Sequence, residues 1–487
     1  MKFSKEIKNI LKSNKFLVYI RTEEEERLEY ILKYITNEVF KTKICSWNFI
    51  DGYQNNPNYL SKAKQNPLEA LNIITEHQNT KIKAFYLKDF DDFIKDISII
   101  RKIKNLYQQL KHKQQYIIIS GTHNKITQTL EEYITYTEMP LPSKEERLLE
   151  IRRFFYKIGK KSFNDQNAIC MAYSGFSMKK IRSSLSQLIS DKTSTKEMIK
   201  QILKEKKKAI YQTEGLKYYS INNKKISIGG LCNLKRWLKV RSITFTQKAY
   251  FYGIKAPKGI LLVGVQGTGK SISAQAIASE WNLPLLRLNI SNMFAGILGE
   301  SENKIEKIIN TCRINSPCIL WIDEIDKIFS NLNNSNDSGT RQRVTNIFLT
   351  WLSEKTEEVF IVATANTIDT IPPEFLRKGR FDEIFFVDLP TFKERCEIFQ
   401  VHLKKIRPTT WNKYNIYYLS KVSQGFSGAE IEQSVTEAMY LAFNKSREFT
   451  TQDVIKSVHM LIPLSKVEKE KIRKLRKWGY SGSVKIA

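Results

Sequence analysis

The octapeptide Gly264-Val265-Gln266-Gly267-Thr268-Gly269-Lys270-Ser271 restricts what this chain can fold into more than any other stretch of it. It follows the apolar run Gly259-Ile260-Leu261-Leu262-Val263 and precedes Ile272-Ser273-Ala274-Gln275-Ala276-Ile277-Ala278, which reads as a helix. A glycine loop between a buried strand and a helix is the setting in which G-x-x-x-x-G-K-S cradles phosphates. The glycines let backbone N–H groups curl around the anion, and the helix N-terminus adds a favourable partial charge. All eight residues from Gly264 to Ser271 are therefore candidate nucleotide contacts. Lys270 is expected to reach the β- and γ-phosphates and the Ser271 hydroxyl to bind Mg²⁺. ATP and Mg²⁺ are the expected cofactors, on an α/β fold with a parallel sheet.

Downstream residues extend the pattern. Cys318-Ile319-Leu320-Trp321-Ile322 reads as a buried parallel strand with Asp323 and Glu324 at its C-terminal end, the edge where open α/β sheets bind ligands. Asp323 is expected to hold Mg²⁺ opposite Ser271, and Glu324 to orient the attacking water. The next apolar strand, Val359-Phe360-Ile361-Val362-Ala363-Thr364-Ala365, ends at Asn366, a neutral amide able to touch the water and the γ-phosphate. In Phe375-Leu376-Arg377-Lys378-Gly379-Arg380-Phe381-Asp382, Arg377 and Arg380 stand three apart and can neutralise charge developing on a γ-phosphate. If they lie across the sheet from their own nucleotide they must serve a neighbour, which implies a ring.

A chain of 487 residues has room for two or three domains. No apolar run approaches the length of a bilayer span, and the first residues, Met1-Lys2-Phe3-Ser4-Lys5-Glu6-Ile7, lack an apolar signal core. Six cysteines without a C-x-x-C pair and five unclustered histidines argue against a zinc site or a disulfide framework. The net charge of +29 is uneven: residues 1–150 carry about +4, 151–250 about +18, 251–400 about −2 and 401–487 about +9. Either a solvated lysine-rich surface or a patch for nucleic acid or an acidic partner accounts for this.

The two halves share a plan. Phe386-Val387-Asp388-Leu389-Pro390 leads into Thr391-Phe392-Lys393-Glu394-Arg395, and Glu138-Met139-Pro140-Leu141-Pro142 into Ser143-Lys144-Glu145-Glu146-Arg147. Gly175-Phe176-Ser177 follows Leu141 by 34 residues, and Gly425-Phe426-Ser427 follows Leu389 by 36. Duplication or a chance resemblance of two helical lids explains this, with Ser143 and Thr391 as expected helix N-caps. In the first half, Phe16-Leu17-Val18-Tyr19-Ile20 leads into Arg21-Thr22-Glu23-Glu24-Glu25-Glu26, whose carboxylates repel a triphosphate. Ala84-Phe85-Tyr86-Leu87-Lys88-Asp89-Phe90-Asp91 parallels Ile319–Asp326 and puts Lys88 where a metal-binding aspartate belongs. This half is expected to fold without binding nucleotide. The boundaries expected are 1–190 for this N-terminal domain, 191–225 for a basic helical linker, 226–391 for the nucleotide domain, 392–465 for a helical lid and 466–487 for a basic tail.

With these motifs, residues 226–465 resemble an AAA ATPase module. The lead-in Ile228-Gly229-Gly230-Leu231, the stretch Ala256-Pro257-Lys258-Gly259 and the lid signature Gly425-Phe426-Ser427-Gly428-Ala429-Glu430 share in the likeness. The whole chain is similar to AAA open-reading-frame proteins encoded in red-lineage algal plastids, with cyanobacterial relatives. The resemblance implies a parallel sheet flanked by helices, a small α-helical lid, and a degenerate AAA-like domain in front. It implies nucleotide binding that includes Gly230, catalysis by Glu324, Asn366, Arg377 and Arg380, and metal binding by Ser271 and Asp323. It also implies a homo-oligomer, a hexamer in most members, that remodels a macromolecular client, and a home in the plastid stroma. Departures are Ile297, where threading members carry a pore aromatic (either Phe294 substitutes or polypeptide threading is not the task), Thr367-Ile368-Asp369 after Asn366, and Gly428-Ala429 where some relatives have a second sensing arginine. A protein client stays open beside RNA or DNA gated by ATP, and beside a regulatory scaffold for a plastid metabolic complex.

Overall fold

A computed structural model describes residues 2–76, 82–123, 127–157, 166–190, 195–211, 215–219, 227–245, 247–290, 300–329, 338–482 and 484–487. The chain divides into two units, Met1–Ile199 and Lys200–Ala487.

In the first unit, the apolar runs β1 (Leu17–Arg21), β4 (Ala84–Leu87) and β5 (Tyr116–Gly121) are buried almost throughout, as central parallel strands covered on both faces must be. With β2 (Cys45–Asn48), β3 (Gly52–Gln54) and β6 (Thr135–Glu138) they form a sheet in the order β3-β2-β4-β5-β1-β6. Helices Lys144–Lys157, Gln166–Ala172 and Met178–Ser190 follow.

In the second unit, β7 (Leu216–Tyr219), β8 (Gly259–Gly264), β9 (Leu285–Leu288), β10 (Cys318–Ile322), β11 (Val359–Ala365), β12 (Glu383–Val387) and β13 (Lys485–Ile486) lie in the order β13-β12-β8-β11-β10-β9-β7. Alternate residues of each strand feed opposite layers. Ile260, Leu262, Trp321 and Phe360 meet Ala274 and Ile277 of the helix Lys270–Trp281 on one face. Leu261, Val263, Leu320 and Ile322 meet Ile305, Phe348 and Leu475 on the other. Helices Phe392–Ile406, Ile416–Val422, Gly428–Phe443 and Thr451–Met460 close around Phe399, Leu403, Ile431, Val435 and Val454 as a lid. Thr391 and Ser427 open two of these helices through capping boxes with Glu394 and Glu430.

The two sheets share one strand order, with β2, β4, β5, β1 and β6 matching β9, β10, β11, β8 and β12. Details in the lids agree as well. Arg147 donates to the carbonyl of Pro142 at 2.7 Å and Arg395 to that of Pro390 at 2.8 Å. Gly175 and Gly425 turn at φ +85° and +79°, each just before the third lid helix. The antiparallel edge strand differs in origin: β3 follows β2 in the chain, whereas β7 precedes β8.

The expected basic helical linker contains a helix and also supplies a strand, and the expected basic tail contains a helix and a strand. The stretch 191–225 contains the helix Thr195–Tyr211 and β7, which pairs with β9. The 466–487 segment is not a free basic tail. Its helix Lys469–Gly479 buries Ile472 and Leu475, packs Gly479 onto the Phe386 ring, and returns to the sheet as β13 beside β12. Only Ile472, Leu475, Trp478 and Gly479 interrupt its charges, and a two-residue strand leaves no periodic trace. Among the described residues no helix is long and apolar enough to cross a membrane.

Candidate functional site

The loop between β8 and the helix Lys270–Trp281 lies at the C-terminal edge of the sheet. Gly267 and Gly269 adopt φ +75° and +93°, a conformation that costs residues with a Cβ about 1–2 kcal/mol. Among the described residues, nothing accepts a hydrogen bond from the amides of Gly267, Thr268 and Gly269. These unspent donors, at the start of a 12-residue helix, suit a bound anion. Lys270 is buried, and its Nζ donates to the carbonyls of Gly264 at 2.8 Å and Val265 at 2.6 Å. Burial pulls its ammonium down to about 8, partly offset by Asp326, Asp323 and Glu324. The expected consequence concerns pH. A triphosphate favours the charged form, so ATP affinity stays level below pH 8 and falls by up to about tenfold per unit above it. Calorimetry in two buffers should show proton uptake on binding above pH 8; a flat profile to pH 9.5 would refute this use of Lys270.

Asp323 gathers three donors. Ser271 Oγ donates to its Oδ1 at 2.8 Å, Thr364 Oγ1 to the same oxygen at 2.7 Å, and Arg287 to Oδ2 at 3.0 Å. Arg287 also stacks over Trp321, 4.4 Å from the ring centroid. A carboxylate and a hydroxyl in contact below a phosphate loop fit Mg²⁺, which takes few protein ligands and completes its shell with phosphate and water. Among the described residues no cluster of three His, Cys, Asp or Glu able to hold a metal occurs.

Glu324 stands at φ +54°, unusual for a residue with a Cβ. Its amide donates to Thr364 Oγ1 at 3.0 Å, and its carboxylate accepts from Asn366 Nδ2 at 3.3 Å and pairs with Lys327. Behind it, Asp326 is buried. Its Oδ2 accepts from the Asn366 amide and the Thr367 hydroxyl, while its Oδ1 has no partner. Burial pushes the Asp326 carboxyl above its ordinary range. The structure thus brings Ser271, Asp323, Glu324 and Asn366 together with Lys270 at one edge. Thr364, Arg287 and Asp326 join them without having been singled out from the sequence. The only sequence signal for the first two is a polar residue inside an otherwise apolar strand.

Arg377 and Arg380 lie elsewhere. The next residues pair with the beginning of β8: the Gly259 amide donates to Asp382 Oδ2 at 2.8 Å, the Asp382 amide to the Gly259 carbonyl at 2.9 Å, and Lys258 Nζ to the Gly379 carbonyl at 2.7 Å. The glycine loop leaves the other end of that strand. Five strand steps of about 3.3 Å put the two edges ~17 Å apart. Arg377 is exposed, and one Nη of Arg380 is buried without a partner.

Gly230 sits against the lid. Its amide donates to Glu397 Oε2 at 2.8 Å and the Leu231 amide to Glu394 Oε1 at 3.1 Å. Its donor is therefore committed to the lid rather than offered to a nucleotide. The lid also touches the glycine loop directly, through Ala429 N–H to Gly267 O at 3.0 Å. Ile297, Phe294 and the rest of the 293–299 stretch fall outside the described residues.

The first unit carries the same ladder with other chemistry. Registers equate Leu87, Ser120, Gly121 and Arg21 with Ile322, Thr364, Ala365 and Val263. Between Arg21 and its helix at Glu25 stand three residues, against six between Val263 and Lys270. No loop remains to wrap a phosphate. Lys88, in the place of Asp323, pairs with Glu25 at 2.9 Å and Glu29 at 2.8 Å. Asp89, in the place of Glu324, keeps the left-handed turn at φ +47°. Glu24 accepts from the Met178 amide at the start of the last lid helix, so a carboxylate joins lid to sheet where the other unit uses loop backbone.

Glycine loop, acidic strand end, neighbouring amide and helical lid together define an AAA module. The family model "ATPase family associated with various cellular activities (AAA)" matches residues 260–389, and "SpoVK-like AAA ATPase, N-terminal domain" matches residues 3–139. Over its full length the chain is similar to the AAA domain-containing protein ycf46 of Gracilaria tenuistipitata var. liui, 48% identical over 493 residues covering 100% of both chains. It is 45% identical to that of Guillardia theta over 489 residues, 100% of this chain and 97% of the other. The chain belongs to this ycf46 family of AAA ATPases, as its motifs led us to expect. Part of the chain is also similar to the proteasome-activating nucleotidase of Saccharolobus solfataricus, 35% identical over 228 residues, 46% of this chain and 58% of that one.

Proposed function

We propose that the chain is an oligomeric, ring-forming ATPase that hydrolyses Mg-ATP to remodel a macromolecular client in the plastid stroma. The observation that carries this reading is the placement of Arg377 and Arg380 at the sheet edge opposite the glycine loop. The arginine described at the site, Arg287, is held by Asp323, so in this reading an arginine for the γ-phosphate comes from a neighbour's arginine edge, and closed repetition of such a head-to-tail contact makes a ring. In this reading the loop amides and Lys270 bind the phosphates, and Ser271 and Asp323 hold Mg²⁺, which when bound neutralises phosphate charge. Glu324, steadied by Asn366, accepts a proton from the attacking water. The helical lid, touching the loop at Gly267, converts phosphate occupancy into lid movement.

A basic partner surface favours nucleic acid as the second reading. From Gly215 to Ser279 the chain has no Asp or Glu and eleven Lys or Arg. The C-terminal cluster supports it less than its composition suggests, because Arg476 is held by Asp388 at 3.0 Å.

Light scattering on the Glu324→Gln protein separates the two readings. A mass several times the 56.9 kDa protomer, formed with Mg-ATP alone and unchanged by a short RNA, is the expected result. Assembly only with RNA moves nucleic acid first, and a persistent monomer removes the ring.

A further inference from the structure

Each unit fastens the ends of two neighbouring strands with one aspartate. Asp91 stands four residues past Leu87, the last of β4, and Asp326 four past Ile322, the last of β10. In the first unit, Asp91 Oδ2 accepts from the amides of Thr122 at 2.9 Å and His123 at 3.1 Å, with Tyr19 OH also 3.1 Å away. The strand registers put Thr122, His123 and Tyr19 in the places of Asn366, Thr367 and Leu261. In the second unit, Asp326 Oδ2 accepts from the Asn366 amide at 3.3 Å and the Thr367 hydroxyl at 3.4 Å, and its buried Oδ1 has no partner. The looser seat has a cause. A Cβ on Gly121 would lie 2.1 Å from Asp91 Cγ, and the residue in that place in the second unit, Ala365, has one. Leu261 brings no hydroxyl where Tyr19 does.

The fastening belongs to the fold, since it holds Thr122 in a unit without a phosphate loop. What it holds in the second unit is different. Asn366 follows Ala365, the last residue of β11 to pair with β8, so the sheet ladder does not set its position. Asp326 itself is anchored, because its short helix Asp326–Phe329 buries Ile328 and Phe329 in the core. One step nearer the strands, the amides of Glu324 and Ile325 are bound to Thr364. The main chain of Asn366 is thereby fixed relative to Glu324, and its Nδ2 comes within 3.3 Å of Glu324 Oε1. That is already the long end for a hydrogen bond, so a small drift of Asn366 would break it. We propose that Asp326 is a positioning residue for hydrolysis: by holding the Asn366 amide it keeps the Asn366 side chain on Glu324, and it does so as an acceptor, not as a carrier of protons. This rests on the reading that Glu324 serves Mg-ATP hydrolysis at this site.

The test is steady-state phosphate release by full-length protein with Mg-ATP, read as kcat and KM. Asp326→Ala leaves the Asn366 amide without its acceptor. A misplacement of about 1 Å can cost about 10²-fold, so kcat should fall roughly 10- to 100-fold with KM within about threefold. Asp326→Asn keeps an oxygen for that amide but takes no proton, and should stay within about fivefold of the parent. Asn366→Ala removes the side chain through which Asp326 acts, so adding Asp326→Ala to it should slow turnover by no more than about twofold further. Should the alanine protein melt far below the parent, Asp326→Leu, close in size and without an acceptor, takes its place. Asp326→Asn as slow as Asp326→Ala would put the carboxyl itself in the chemistry and overturn the proposal. Losses that add in the double variant, a KM that rises in step with the fall in kcat, or unchanged turnover in Asp326→Ala would overturn it too. If the parent releases no phosphate, or Glu324→Gln releases it at the parent rate, the underlying reading falls, a result distinct from failure at Asp326.

Discussion

Glu324→Gln is expected to slow ATP turnover by roughly 10²–10⁴-fold, the range that a positioned general base contributes, while Mg-ATP affinity stays within a few fold. The amide keeps the size of the carboxylate and can still meet Asn366 Nδ2 through its own oxygen. What it loses is the ability to take a proton. The backbone around it is held independently, by the Thr364 hydroxyl at the Glu324 amide and by the Ile325 amide to Thr364 O at 2.8 Å. The left-handed turn at φ +54° should therefore survive the substitution. Phosphate release under saturating ATP measures the first quantity and calorimetric titration the second. Turnover near the parent rate would remove Glu324 from the chemistry and leave Asp326, buried with one oxygen unpartnered and its carboxyl pushed up, as the next candidate base.

Much of this site was legible in the sequence because its parts are local. The glycine loop needs one strand, one turn and one helix within about 20 residues, and Asp323 and Glu324 are marked by the apolar strand they end. The duplicated plan was legible too, since Ser143 and Thr391 open their helices after matching Pro-rich turns. Illegible were the groups whose role depends on contacts across the sheet. Arg287 becomes a partner of Asp323 only because β9 and β10 pair in register, Arg287 opposite Trp321. Thr364 looks like one polar residue in a buried strand until its hydroxyl is seen between Asp323 and the Glu324 amide. The C-terminal helix was misread as a tail for a related reason. Its charges dominate its composition, and the contact that docks it, Gly479 on Phe386, spans nearly 100 residues of sequence.

Arg380→Ala should lower turnover by about 10³–10⁵-fold, the range for an arginine supplied to a phosphoryl-transfer site, with much less effect on ATP binding. Burial of one Arg380 Nη without a partner leaves a donor unspent in the single subunit, and such a group in a native fold calls for an explanation. Being shielded within its own subunit, that atom does not itself reach a neighbour, so the case for Arg380 in trans rests on its position. Arg377, exposed on the same turn, should show a loss in the same direction. An arginine on the turn at the far end of β8, a strand length of ~17 Å from its own loop, is expected to act in trans. Mixing therefore discriminates. Arg380→Ala subunits keep an intact loop and Glu324, and Glu324→Gln subunits keep an intact arginine edge. Neither turns over alone, yet every mixed interface that presents the second kind's arginine to the first kind's loop is whole. Activity should rise on mixing to a maximum near equal proportions and be absent when Lys270→Ala replaces Arg380→Ala, because the arginine acceptor then binds no ATP. Mixtures no more active than the sum of their parts would show that each chain completes its own site, and the arginines at the far edge would have to be assigned to holding neighbours together instead.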